Sequence, residues 1–463
     1  MKNLILLAFA FPSLAFAQPQ SVGDQAAALR DAALRGDTLA WEIVEGLTTE
    51  VGPRQAGTEA EARARAWAVR RLTELGFANV RVEPFEMPVW MRGEERAEIV
   101  SPFPQPLVVT ALGNSGATPA AGIEAEVAGF DSVAALQAAP DEAVRGRIVF
   151  INHAMAPTQD GSGYGQFGAP RRQGPTLASR KGAVAIVIRS IGTDFHRNPH
   201  TGVQAFGEGA RPIPAGALAV PDAEQLQRIL NRGRPVRMRL TLTPRNIGRR
   251  QSGNVVAEVP GSDPEAGVIL IGGHLDSWDL GTGAIDNAAG VAITVAAAHR
   301  IMQAGRPRRT IRIVLFGAEE VGGGGGETHF RLNRERGNVV LVAESDFGAD
   351  RVWRVEFKLA AGNSELAERI AALLAPLGIL RGASPAGAGA DLSEWVRAGR
   401  AAIDLSQDGT RYFDYHHSPD DTLDKIDPAQ LRQNVAAWTA MLAAAADSPG
   451  VIHAAEPSAP PAR

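Results

Sequence analysis

A chain of 463 residues is long enough to bury more than one hydrophobic core, and its length fits two or three domains. With 47 Lys and Arg against 51 Asp and Glu the net charge is −4, which leaves no basic excess to draw a nucleic acid or an anionic membrane surface. No cysteine is present, so an exported form must be stable without disulfides, which this size allows.

Met1-Lys2-Asn3 lead an apolar run from Leu4 that ends in Ala15-Phe16-Ala17. A charged start, a short apolar stretch and an A-x-A site predict a secretory signal over residues 1–17, with the periplasm or the exterior as destination. Pro12 breaks the run, which is also too short to serve comfortably as a membrane anchor. Residues 21–47 have helical apolar spacing, which Gly52-Pro53-Arg54 ends. Thr58-Glu59-Ala60-Glu61 is a capping box for a helix running to Leu75, with Gly76 as its left-handed stop. Residues 80–89 alternate enough to form an edge strand or hairpin arm.

From residue 117 the pattern changes. Short apolar runs at 123–130, 147–152, 184–190 and 213–220 read as strands, with helices near 175–181 and 221–231. They predict a β-rich unit over 117–245, inserted into a second domain formed by residues 18–116 and 246–448. Inside the insertion, the glycine-rich stretch 160–174 is either a mobile flap or an ordered surface loop. His200, in Asn198-Pro199-His200-Thr201-Gly202, reads as a loop histidine with a local hydrogen bond, with substrate contact as the alternative. Residues 449–463 form a proline-rich tail expected to be disordered.

The second half carries the chemistry. Residues 268–271 form a short apolar run bounded by glycine, as a parallel strand covered on both faces would, and the run delivers His274 and Asp276 at its carboxyl end. Asp286 then opens a small-residue helix expected over 287–304. Residues 310–316 lead to Glu319-Glu320, residues 339–343 to Asp346, and residues 401–405 to a loop holding His416-His417. Four strand ends thus present acids or histidines to one rim of one α/β sheet, a mostly parallel sheet covered by helices. An acidic pair is ordinarily solvated surface, but at a buried strand end it is costly unless paired or metal-bound. The glycine run 322–326 has no G-K-[ST] after it, so it is no phosphate cradle and reads as a flexible loop beside the site.

Imidazole nitrogen and carboxylate oxygen together suit zinc. His274, Asp286, Glu320, Asp346 and His417 are too many for one catalytic zinc with an open position, and suit two Zn2+ bridged by one carboxylate. Glu319 is then the spare acid, free to carry a proton. There is no H-E-x-x-H, and Gly382-Ala383-Ser384-Pro385 lacks the closing glycine of a nucleophile elbow.

The runs GGHLDSWDLGTGAIDNAAG, AEEVGGGGG, ESDFG and YHHSPDDT resemble the co-catalytic zinc aminopeptidases and carboxypeptidases, most closely their carboxypeptidase Q branch. The resemblance implies that His274 and Asp346 bind one zinc, that Glu320 and His417 bind the other, and that Asp286 bridges them. It further implies Glu319 as general base, Asp276 as the residue orienting His274, a cis peptide at Asp286-Asn287, and a protease-associated domain as the insertion. The choice of His417 over His416 as ligand is also an implication of the resemblance; His416 then flanks the substrate or packs. Many relatives carry a His after the Asp of a late motif, where this chain has Ala390-Asp391-Leu392, a pattern similar to that of the carboxypeptidase Q branch. By position Asp391 reads as a helix-capping aspartate, and by resemblance as part of a substrate pocket. The implied protein is an exported exopeptidase for small peptides and dipeptides, working as a homodimer. Two alternatives stand beside it: a single-zinc acyl transferase like glutaminyl cyclase, and a non-catalytic binding protein on the same fold.

Overall fold

The computed structural model describes residues 22–455, so the expected signal over 1–17 and the end of the chain from residue 456 lie outside the described residues. Two eight-stranded sheets organise what is described. In the first, the strands run in the order Ala78–Met91, Arg245–Val259, Thr310–Phe316, Val268–His274, Val339–Glu344, Ala401–Gln407, Val352–Lys358, Leu380–Arg381. Its four central strands are parallel to one another. Antiparallel strands flank them on both sides.

The centre is apolar on both faces because both faces are covered. Ile269, Leu270, Ile271, Ile311, Ile313 and Leu341 have at most 1 % of their surface exposed. Each such side chain contributes about 1.5–3 kcal/mol when removed from water. Helices Ala289–Ala304 and Pro428–Ala446 pack together over one face; both are rich in alanine and buried along most of their length. Small residues are needed there: a Cβ on Gly290 would come within 1.9 Å of the Ser345 carbonyl. That close approach brings the start of the helix, and with it Asp286, down onto the strand ends.

The helix expected over 21–47 divides into Val22–Gly36 and Leu39–Gly46. At the break the Asp37 carboxylate accepts the Ala40 N–H and pairs with Arg300, an outcome that apolar spacing cannot reveal. The capping box forms at Thr58, but Glu61 reaches back to the Gly57 N–H rather than to Thr58 itself. The predicted edge strand extends over Ala78–Met91.

The second sheet takes the order Gln105–Leu107, Glu95–Ser101, Arg237–Leu242, Ile123–Phe130, Ile148–Ile151, Ala185–Arg189, Ala215–Leu218, Val109–Ala111. Its first strands precede residue 117, where the insertion was expected to begin, because Glu95–Ser101 pairs with Arg237–Leu242 from the far end of the unit. The four strands from Ile123 to Leu218 are parallel neighbours, so the unit carries crossover helices as well as short strands. The tail also departs from expectation: Ile452 is 3 % exposed, and Ala360 and Asn363 hydrogen-bond the chain at His453 and Val451, so residues 449–453 are docked. Among the described residues no helix is long and apolar enough to cross a membrane.

Candidate metal centre

His274 ends its strand with 1 % of its surface exposed. Its Nδ1 lies 2.9 Å from the Asp276 main-chain oxygen. That contact turns Nε2 toward two acids, Asp286 Oδ1 at 3.0 Å and Asp346 Oδ1 at 3.1 Å. Asp276 was expected to orient His274 through its carboxylate, which stands farther off at 3.6 Å. That carboxylate instead accepts the N–H groups of Glu319 and Glu320, at 3.1 and 3.4 Å. One residue therefore aims the histidine with its backbone and holds the acidic pair with its side chain.

Asp286 sits in a stretch that is not helical, with φ −132° and ψ 83°, entered through a left-handed Gly283. The Asp286-Asn287 peptide is cis. The buried Asp421 carboxylate accepts the N–H of Ile285 at 2.7 Å and of Asp286 at 3.3 Å. The fully buried Arg54 donates to the carbonyls of Leu275, Thr282 and Gly283. Sequence reasoning assigned no role to Arg54 or Asp421; the only hints were the break at Gly52-Pro53 and the acids that follow His417.

The second oxygen of Asp286 faces the other histidine: His417 Nε2 is 3.3 Å from Oδ2, and 2.8 Å from Glu320 Oε2. The five residues singled out from the sequence therefore meet, as two clusters that share Asp286. Asp286 Oδ2 and Glu320 Oε1 are buried and accept no hydrogen bond among the described residues.

His416 packs rather than opening toward solvent. Its ring stacks on His417 at 3.5 Å and lies against Tyr164, Tyr412 and Phe413, with Nε2 3.6 Å from Asp286 Oδ2. His200, offered as a substrate contact, is 2 % exposed and has both ring nitrogens occupied, by Asp194 at 2.7 Å and by the His416 carbonyl at 2.5 Å. It fastens the inserted unit to the loop that carries the two histidines. Thr201 continues the join: its N–H meets the His417 carbonyl, and its own carbonyl faces His417 Nδ1 at 3.3 Å. The 160–174 stretch is an ordered cover of short helices, with Tyr164 stacked on Phe413 at 4.8 Å.

Asp391 does not cap its own helix. Its carboxylate accepts the Gly326 N–H, and its N–H donates to Glu344, a buried acid that the sequence reading passed over. The glycine run is accordingly a packing device at its far end and not simply a flexible loop: a Cβ on Gly325 or Gly326 would lie 2.2 or 2.4 Å from a backbone oxygen.

The electrostatics follow from this crowding. Burial pushes the half-buried Glu319 carboxyl well up, and Asp346, Glu320 and Asp391 push the same way against His274. Burial, aided by Asp286, lifts Glu320 to about 7, and burial lifts Asp391 to about 8. Burial alone would lower His274 and His417, but the surrounding carboxylates outweigh it and hold both well above the ordinary imidazole value. Burial, with His417 adjoining, pushes His416 well down. A buried site with more acid than imidazole, and with carboxylate oxygens lacking partners, fits divalent cations. The nitrogen and oxygen donors are those zinc accepts.

The profile of peptidase family M28 matches residues 254–442, the half that holds every residue of the two clusters. Carboxypeptidase Q of Homo sapiens is 35 % identical over 431 residues, covering 92 % of this chain and 90 % of that one. The crystal structure of a peptidase M28 precursor from Shewanella amazonensis SB2B is 44 % identical, with a TM-score of 0.91 over 94 % of this chain and 99 % of that one. BSAP, a zinc aminopeptidase from Bacillus subtilis, shares the fold at 19 % identity, with a TM-score of 0.63 over 89 % of this chain and 96 % of that one. With the clustered acids and imidazoles on one sheet rim and likeness along nearly its full length, the chain belongs to peptidase family M28 and is a metallo-exopeptidase.

Proposed function

We propose that the chain is a dizinc exopeptidase that hydrolyses small peptides with free termini, dipeptides among them. The observation that carries the reading is the division of Asp286: one carboxylate oxygen faces His274 and the other faces His417. A carboxylate so divided fits a bridge between two ions. His274 and Asp346 would complete one shell, and His417 and Glu320 the other, with His416 close enough to Asp286 to brace it.

When bound, zinc would supply Lewis acidity toward a scissile carbonyl and lower the pKa of water. Glu319 would take the proton from that water and return it to the leaving amine. Its raised proton affinity suits the task, since a carboxylate at its ordinary value is too weak a base to hold a proton near neutral pH. Asp276 keeps Glu319 and Glu320 in register through their backbone N–H groups.

The sheet-bearing unit that begins near residue 95 is read here as the protease-associated-like insertion, and export and homodimerisation belong to the same proposal. The names of the relatives, a carboxypeptidase and a zinc aminopeptidase, differ over which end of the peptide is taken, and a direct assay decides between them. Zinc-loaded protein should hydrolyse members of a dipeptide panel and lose that activity to a chelator. Rates indifferent to the chelator, or a single zinc per chain in the active protein, would sink the dizinc reading.

A further inference from the structure

A cavity of about 220 Å³ opens beside the acid pair, between the first sheet and the inserted unit. Ala318 and Val321, which bracket Glu319-Glu320, form one wall; Met87 and Trp90 of the edge strand form another; Val203 of the inserted unit and Trp278 close it. None of its lining residues is charged. Trp278 ties it to the site, because its ring centre lies 5.8 Å from that of His417. Its Nε1 is buried with no hydrogen-bond partner among the described residues, an N–H donor left for an incoming oxygen.

The inserted unit shapes this space directly. A Cβ on Gly113 would stand 2.5 Å from the Trp278 ring, so the indole keeps its place only because residue 113 has no side chain. Trp90 is fixed by its own N–H donating to the Ser115 carbonyl at 3.1 Å. The walls are therefore rigid aromatic surfaces, with Val203 as the branched side chain facing them from the inserted unit.

We propose that this cavity receives the side chain of one of the two residues flanking the scissile bond, and that it selects a large apolar or aromatic one. The inference rests on the exopeptidase reading above. Size favours it, since an apolar cavity of about 150 Å³ already holds a benzene molecule. Charge favours it too: a carboxylate or ammonium buried here would find no counter-charge in the lining, at a cost of several kcal/mol. Filling such a pocket with Phe rather than Ala is worth roughly a tenfold or greater preference in kcat/KM.

The test uses the zinc-loaded full chain and a dipeptide series in which Ala, Leu, Phe, Glu or Lys occupies each position in turn. Wild type is expected to prefer Phe over Ala about tenfold or more at one position, with Glu and Lys disfavoured there. Val203→Trp, which fills the cavity, is expected to erase that Phe:Ala ratio at the same position. Val203→Arg is expected to raise Glu relative to Phe at that position, a reversal that loss of structure would not produce. Met87→Trp, on the opposite wall, repeats the filling test should either Val203 variant fail to fold. A Phe:Ala ratio that is flat in wild type, or that stays unchanged in a folded filling variant, overturns the pocket and leaves the exopeptidase reading standing. Absence of hydrolysis of every peptide overturns the exopeptidase reading itself.

Discussion

Asp286 and Glu319 divide the labour of the site between holding and reacting. Asp286 reaches two imidazoles with two oxygens, so Asp286→Ala removes a donor from both clusters at once. Elemental analysis should find at least one zinc fewer per chain, and two zincs retained would contradict the bridge. Glu319 stands apart, half-buried, with its backbone tied to Asp276. Glu319→Gln keeps the shape and removes the proton acceptor, so turnover should fall by roughly 10²–10⁴ with zinc content unchanged. Wild-type turnover in a zinc-loaded Gln variant would take the general base away from this residue.

Elements, more than individual side chains, explain why the acid pair keeps its position. The helix Gly324–Asn333, which follows the pair, is anchored to the edge strand Ala78–Met91 by His329 Nδ1 at 2.7 Å from Glu83 Oε2. Burial opposes ionisation of Glu83, but the hydrogen bond and charge of His329, with Asn333 and Arg81, hold its carboxyl down to about 2 against the usual 4.5. A carboxyl held down favours the folded state fully above 4.5, and that contribution disappears as the pH falls toward 2, because the unfolded chain takes up the proton first. Denaturant midpoints should therefore fall more steeply for the wild type than for Glu83→Gln between about pH 5 and about pH 3. Parallel acid limbs would show that the pair does not stabilise this packing. The break between helices Val22–Gly36 and Leu39–Gly46 has the same kind of cause, a carboxylate partner far away in sequence at Arg300.

At the scale of the whole molecule the inserted unit completes the site. His200 and Thr201 bind the loop that carries His416 and His417, and Gly113 and Val203 shape the adjoining cavity. Loss of a group that orients a metal-binding imidazole typically weakens metal affinity by about 10–100-fold. His200→Ala should accordingly bind zinc more weakly by a factor of that order while keeping its secondary structure by circular dichroism. Unchanged zinc affinity in the folded variant would separate the inserted unit from the metal centre.

The sequence by itself determined the strands that end in His274, Glu319-Glu320 and Asp346, and the identity of the five clustered residues. That information is local: an apolar run long enough for a covered strand, a glycine or two, then a polar residue that could not stay at a buried strand end without a partner. Tertiary structure alone decided that Asp276 serves His274 through its main chain, that His200 is a fastener and not a substrate contact, and that Asp391 accepts an N–H from Gly326 and donates its own to Glu344. Each of those roles depends on a donor or acceptor brought close by the fold, and in the cases of His200 and Asp391 the partner lies many residues away, where spacing along the chain carries no trace of it.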